Sequence, residues 1–99
     1  MESILTTNKE TCYVCQRRLN AYDRKPEVHH IFYGHGLRSV SDRLGLVVYL
    51  CPECHRGTNG VHGKNGKALN YDLKQIAQHT YEETHSREEW MKEIGKNYL

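Results

Sequence analysis

The tightest constraint on this chain is a pair of Cys-X-X-Cys knuckles, Cys12-Tyr-Val-Cys15 and Cys51-Pro-Glu-Cys54, with thirty-five residues between them, Gln16 to Leu50. A two-residue gap lets each pair curl round one tetrahedral ion, so the two knuckles together supply four thiolates to one zinc. Four protein ligands leave no position for a substrate, and the predicted ion is therefore structural. A chain of 99 residues buries only a modest core. A structural zinc adds on the order of 10–16 kcal/mol at neutral pH, which offsets that shortfall. Disulfides, an iron–sulfur cluster and a plain zinc ribbon are the other uses of such cysteines. A redox role fits less well, because the pairs lack a surrounding βαβ pattern.

Composition agrees with a soluble protein. The hydrophobic fraction is 37% and the mean hydropathy is −0.80, with no apolar run long enough to span a bilayer. The opening Met1-Glu-Ser-Ile-Leu-Thr-Thr has no positive n-region and no apolar h-region, so a cytoplasmic location without membrane partners is expected. A reducing compartment keeps thiols free for metal. Net charge is +2 and the pI about 8.4, values compatible with nucleic acid that do not by themselves point to it.

Along the chain, residues 1–11 are polar and aperiodic and read as a flexible arm. Residues 12–67 carry both knuckles and form the expected metal-bound core. Val28–Tyr33 and Leu46–Leu50 are rich in β-branched and aromatic residues and read as strands. Gly34–Arg43, with two glycines and two serines, reads as an exposed loop. From Arg56 to Gly66 four further glycines exclude a helix. Within that stretch Asn59-Gly60 suggests a turn with left-handed backbone at Asn59. Residues 68–99 are expected to form helices packed on the core. Leu69, Leu73, Ile76, Ala77 and Tyr81 repeat at helical spacing. Ser86-Arg-Glu-Glu89 is a capping-box signature before Trp90, Met91 and Ile94, and Gly95 suits a C-terminal cap. The fold class is α+β in one domain.

Seven histidines are the unusual entry in the composition. His29-His30 opens the first strand and His55 follows the fourth cysteine, so closing the zinc site draws these segments together. Alternation along a strand sends His29 toward a shared pocket with His55 and His30 to the other side.

Cys-X-X-Cys, then Val28-His-His-Ile-Phe32, then Leu50-Cys-Pro-Glu-Cys-His55, with His62 downstream, resembles the zinc-containing HNH endonucleases of the ββα-metal class. The resemblance covers residues 12 to about 62 and implies a treble-clef-like domain with a C-terminal helical extension. It also resembles small HNH proteins of phages and prophages. It implies that His29, His55 and His62 hold a catalytic divalent ion, with His30 the general base that activates water. Mg²⁺, Mn²⁺, Ni²⁺ or Zn²⁺ could serve as that ion, and imidazole ligands favour the later transition metals. Hydrolysis would leave 5′-phosphate and 3′-hydroxyl ends. Arg38, Arg43 and Arg56 are the favoured contacts to DNA phosphates, among a wider set that includes Arg17, Arg18, Lys64 and Lys67. The chain departs from the family at two points. Leu46 stands where the family has an asparagine, and His62 lies seven positions after His55 across glycines. A zinc-binding module that grips DNA or protein without cutting is the alternative function.

Overall fold

The structure is a computed structural model that describes residues 2–20, 22 and 24–99. Its elements run β1 (Glu27–His30), α1 (Leu37–Leu44), β2 (Val47–Leu50), α2 (Pro52–Arg56), α3 (Lys67–Tyr81) and α4 (Arg87–Ile94). The strands pair antiparallel, with Glu27 opposite Leu50, Val28 opposite Tyr49, His29 opposite Val48 and His30 opposite Val47. Among the described residues this α+β arrangement of one two-stranded sheet and four helices matches the expected class. The first strand is shorter than predicted, ending at His30, although the Ile31 N–H still donates to the Leu46 carbonyl at 3.0 Å.

The largest correction is α1, which occupies the stretch expected to be an exposed loop. Leu37, Val40, Ser41 and Leu44 follow helical spacing, and the inward Ser41 hides the apolar pattern from a reading of the sequence. Ser41 is fully buried, yet both of its hydrogen-bonding capacities are used. Its hydroxyl donates to the Phe32 carbonyl at 2.7 Å and accepts from the Phe32 N–H at 3.1 Å. The helix is bracketed by Gly36 and Gly45, both in the left-handed region.

Strands and helices share one core. Ile31, Phe32, Leu46, Val48 and Leu50 meet Leu73, Ala77 and Tyr81 of α3 and Trp90 of α4. Trp90 stands edge-on to Phe32 at 5.4 Å between ring centroids, and its indole N–H donates to the Lys96 carbonyl at 2.8 Å. The capping box at Ser86 forms as expected, with Ser86 and Glu89 each satisfying the other's backbone N–H, and Gly95 closes α4 in a left-handed cap. Ile76 and Met91, expected on the apolar stripes, are more than a third exposed. Asn59 is not left-handed, and its side-chain carbonyl instead accepts from the Asn65 amide at 3.0 Å.

The segment read as an arm carries tertiary hydrogen bonds. The Ser3 hydroxyl donates to the Val47 carbonyl, and the Ile4 N–H reaches the Gly45 carbonyl at 2.9 Å. No helix among the described residues is long and apolar enough to cross a membrane.

Gly45 joins two constraints. Its φ is +75°, and a Cβ there would lie 2.3 Å from the Glu2 carbonyl oxygen. Gly45→Ala is therefore expected to destabilise the fold by about 1–3 kcal/mol from backbone strain alone, with the clash adding to it. Urea unfolding followed by Trp90 fluorescence checks this, and an unchanged midpoint would contradict it.

Candidate metal centre

Two clusters of potential ligands occur among the described residues, and both depend on α2. The first brings Cys12, Cys15, Cys51 and Cys54 together, their sulfurs all within 4.8 Å of one another. Cys15 Sγ and Cys51 Sγ are 3.7 Å apart. In a tetrahedron with metal–sulfur bonds of about 2.3 Å, neighbouring sulfurs stand about 3.8 Å apart, so the spacing suits a metal ion such as zinc. All four cysteines are free thiols rather than disulfides.

Local backbone geometry builds this site. The first knuckle turns tightly, Gln16 N–H donating to the Cys12 carbonyl at 2.9 Å with Gln16 in the left-handed region. It docks on β2 through Tyr13 N–H to the Tyr49 carbonyl at 2.9 Å. Cys51 is the N-cap of α2, and Pro52 occupies the first turn, where its missing N–H has no helical acceptor to satisfy. Burial pushes the Cys12 thiol up, but backbone N–H groups of Cys51, Cys15 and Val14 outweigh it and hold the group at about 7. Burial and the neighbouring sulfurs drive Cys54 upward. Four crowded sulfurs cannot all ionise alone, and a bound cation reverses that penalty.

The second cluster brings together His29, His55 and His62, with one ring nitrogen from each within 4.8 Å of the others. Ring centroids lie 5.2 Å apart for His29 and His55, 5.0 Å for His29 and His62, and 4.9 Å for His55 and His62. The gap between His55 and His62 is closed by backbone. The loop after α2 folds back so that Val61 N–H donates to the Cys54 carbonyl at 2.8 Å and His62 N–H to the His55 carbonyl at 3.1 Å. The glycines make this return possible. A Cβ at Gly66 would come within 1.7 Å of the Gly60 carbonyl oxygen.

His29 carries the most informative chemistry. It is 1% exposed, and neither ring nitrogen has a hydrogen-bond partner. Burial first, then repulsion from His55, His62, His30 and Lys74, pushes its pKa down to about 3, so the imidazole is neutral. Burial, with His55 beside it, also lowers His62. A neutral, buried, unpartnered imidazole facing two others fits a metal ligand, because an unpaired buried nitrogen is otherwise costly.

His55 is oriented from behind. Its Nδ1–H donates to Glu27 Oε1 at 2.7 Å, which leaves Nε2 as the nitrogen able to accept a metal ion. The same carboxylate accepts from Arg56 Nε at 3.0 Å and Nη2 at 2.6 Å. Hydrogen bonds from Arg56, more than those from His55, hold the Glu27 carboxyl below its ordinary range.

The cleft over this cluster, about 320 Å³, is lined by Val28, His30, Tyr33, Arg38, His55 and His62. His30 thus faces the same cleft as the histidine cluster instead of turning away from it. Its Nε2 lies 2.6 Å from Asp42 Oδ1 on α1. A carboxylate accepts, so Nε2 carries the proton and Nδ1 is left as the basic nitrogen.

No protein family, curated protein or solved structure matches this chain.

Of the three arginines expected to grip DNA, the structure brings only Arg38 to the cleft. Arg56 is committed to Glu27, and Arg43 pairs with Glu93 on α4 beside a different groove. Neither engagement was visible in the sequence, because each partner lies 29 or 50 residues away. Glu27 and Asp42 were missed as site residues for related reasons. Glu27 sits two positions before His29, a weak signal, whereas Asp42 depends on helix α1, whose apolar pattern the inward Ser41 interrupts.

With a metal ion bound by the four cysteines, chelation is expected to unfold the domain, read as loss of far-UV helical signal together with release of about one equivalent of metal per chain. Retention of the fold after complete metal removal would contradict it. Glu27→Gln should weaken binding at the histidine cluster by about 10–100-fold while leaving the cysteine-held ion in place. Competition titration with Co²⁺, whose thiolate charge-transfer absorption marks the cysteine site separately, measures both.

Proposed function

We propose that this protein is a metal-dependent endonuclease of the HNH, ββα-metal type, with a structural zinc in the four-cysteine cluster and DNA as its substrate. The observation that carries this reading is the convergence of three imidazole nitrogens in a cleft that also holds His30, itself paired with Asp42. A treble-clef-like core is the corresponding fold reading, with β1, β2 and α2 as the ββα unit.

His29, His55 and His62 would hold the catalytic divalent ion, with Glu27 setting the tautomer of His55. When bound, such an ion supplies positive charge to a non-bridging phosphate oxygen and to the departing oxygen, where negative charge grows. The remaining work falls to the protein. Asp42 holds the proton of His30 on Nε2, so that Nδ1 can take a proton from the attacking water. The new bond joins that water oxygen to phosphorus, the bond from phosphorus to the 3′ oxygen breaks, and solvent returns a proton to the leaving group. Arg38 at the cleft wall supplies a cation for a neighbouring phosphate.

Asp42 also gives a physical account of the missing family asparagine. The position equivalent to it carries Leu46, a fully buried core residue. Orientation of His30 comes instead from α1, through a side chain twelve residues away.

Plasmid nicking with added Mg²⁺, Mn²⁺ or Ni²⁺ tests the reading. His30→Ala should slow cleavage by about 10²–10⁴-fold, with metal content, thermal unfolding and DNA affinity close to the parent. His55→Ala should be recovered in part at high divalent metal, and His30→Ala should not. Asp42→Asn should lower the cleavage rate at saturating DNA and leave the concentration dependence little changed. DNA binding with no cleavage under any metal would instead favour the non-catalytic module.

A further inference from the structure

One face of α3 and the chain's last residues form a surface that the cleft description leaves unused. Lys74 Nζ lies 6.0 Å from the ring centroid of Tyr33 and 5.7 Å from that of Tyr98, and Lys96 Nζ is 5.1 Å from Tyr98. The Tyr71 and Tyr98 rings are 5.8 Å apart. Tyr33 joins this surface to the histidine cluster, its ring centroid 5.2 Å from that of His62, and its hydroxyl accepts from Asn70 Nδ2 at 3.4 Å. Tyr33 and Tyr71 remain 43% and 47% exposed, although large aromatic rings are normally put to use in burial.

The charge here is one-sided. Burial first, then repulsion from Lys96, lowers the Lys74 pKa, and neither lysine has a carboxylate partner among the described residues. Two neighbouring ammonium groups held over aromatic rings, with no carboxylate to neutralise them, favour an anionic ligand. Part-exposed aromatic rings beside such cations suit unpaired bases, which stack on any ring, whereas duplex bases are already stacked on each other.

We propose that Tyr33, Tyr71, Tyr98, Lys74 and Lys96 form a subsite for single-stranded DNA, carrying unpaired nucleotides away from the histidine cleft. The choice of nucleic acid as occupant rests on the nuclease reading above. Lys74 and Lys96 contact phosphates, and Tyr33 and Tyr71 stack bases. The strand path then runs from the cleft along α3 toward the chain's end.

Fluorescence anisotropy with a labelled twelve-nucleotide oligo-dT and a twelve-base-pair duplex, on zinc-loaded full-length protein with no other metal added, tests this subsite. The single strand should bind more tightly than the duplex. Tyr71→Ala should weaken single-strand binding by about 5- to 150-fold, the effect of one lost stack, and leave duplex binding little changed. Lys74→Gln with Lys96→Gln should reduce the salt slope of single-strand binding by about 1.4, or about 0.7 for each phosphate contact. Zinc content and thermal unfolding identify any variant that has misfolded, and the Lys74→Arg, Lys96→Arg pair should keep parental affinity. If folded Tyr71→Ala and double-lysine variants bind the single strand as the parent does, the subsite is wrong even when plasmid nicking succeeds. Failure of nicking in every metal, with single-strand binding lost in these variants, would remove the nuclease reading and keep the subsite.

Discussion

Closure of the four-cysteine cluster is the constraint on which the rest of the molecule depends. The two knuckles belong to segments with no other strong reason to meet, and their sulfurs lie within 4.8 Å. Once they meet, β2 is anchored at its C-terminal end by Cys51, and the first knuckle lies against it through Tyr13 and Tyr49. The hydrophobic core behind the sheet is thin, built from single layers of Val48, Leu50, Phe32 and the inward residues of α3 and α4. Such a core holds two short strands in register only with help from elsewhere.

Glu27 is the polar counterpart of that closure. It sits at the start of β1, opposite Leu50 at the end of β2, and so stands beside α2. From there one carboxylate engages both His55 and Arg56. The antiparallel register therefore does more than pair backbone groups. It sets His29 opposite Val48 under the sheet, and brings the Glu27 carboxylate to the imidazole that joins His29 from the other segment.

The knuckles, the capping box and the return of the chain to helix near residue 67 were legible because each rests on short-range chemistry: ligand spacing, a reciprocal cap, or a 3.6-residue repeat. His29, His55 and His62 were singled out by resemblance, and the fold brings these three side chains together across a glycine-rich gap. What escaped the sequence had tertiary causes. Helix α1 was hidden because a buried serine takes one of its inward positions, satisfied by Phe32 on another segment. Ile76 and Met91 followed the period of their helices but lie beyond the width of the core. Arg43 and Arg56 looked free because the carboxylates that hold them are remote in the chain. The partner of His30 is likewise contributed by the unrecognised helix.

Helix α2 is only five residues long, and it presents Cys54 to one cluster and His55 to the other. Successive residues on a helix are turned about 100° from each other, so this one peptide bond sets the angle between two coordination sites. Elsewhere the chain has slack. The exposed stretch from Glu83 to Ser86 could change length and still lead into α4, as surface connections commonly do. Between Cys54 and His55 there is none, because one inserted residue would swing the imidazole by a quarter turn or more and leave Glu27 facing nothing. In this chain the Cys54-His55 dipeptide is the fixed ruler that relates one ligand cluster to the other.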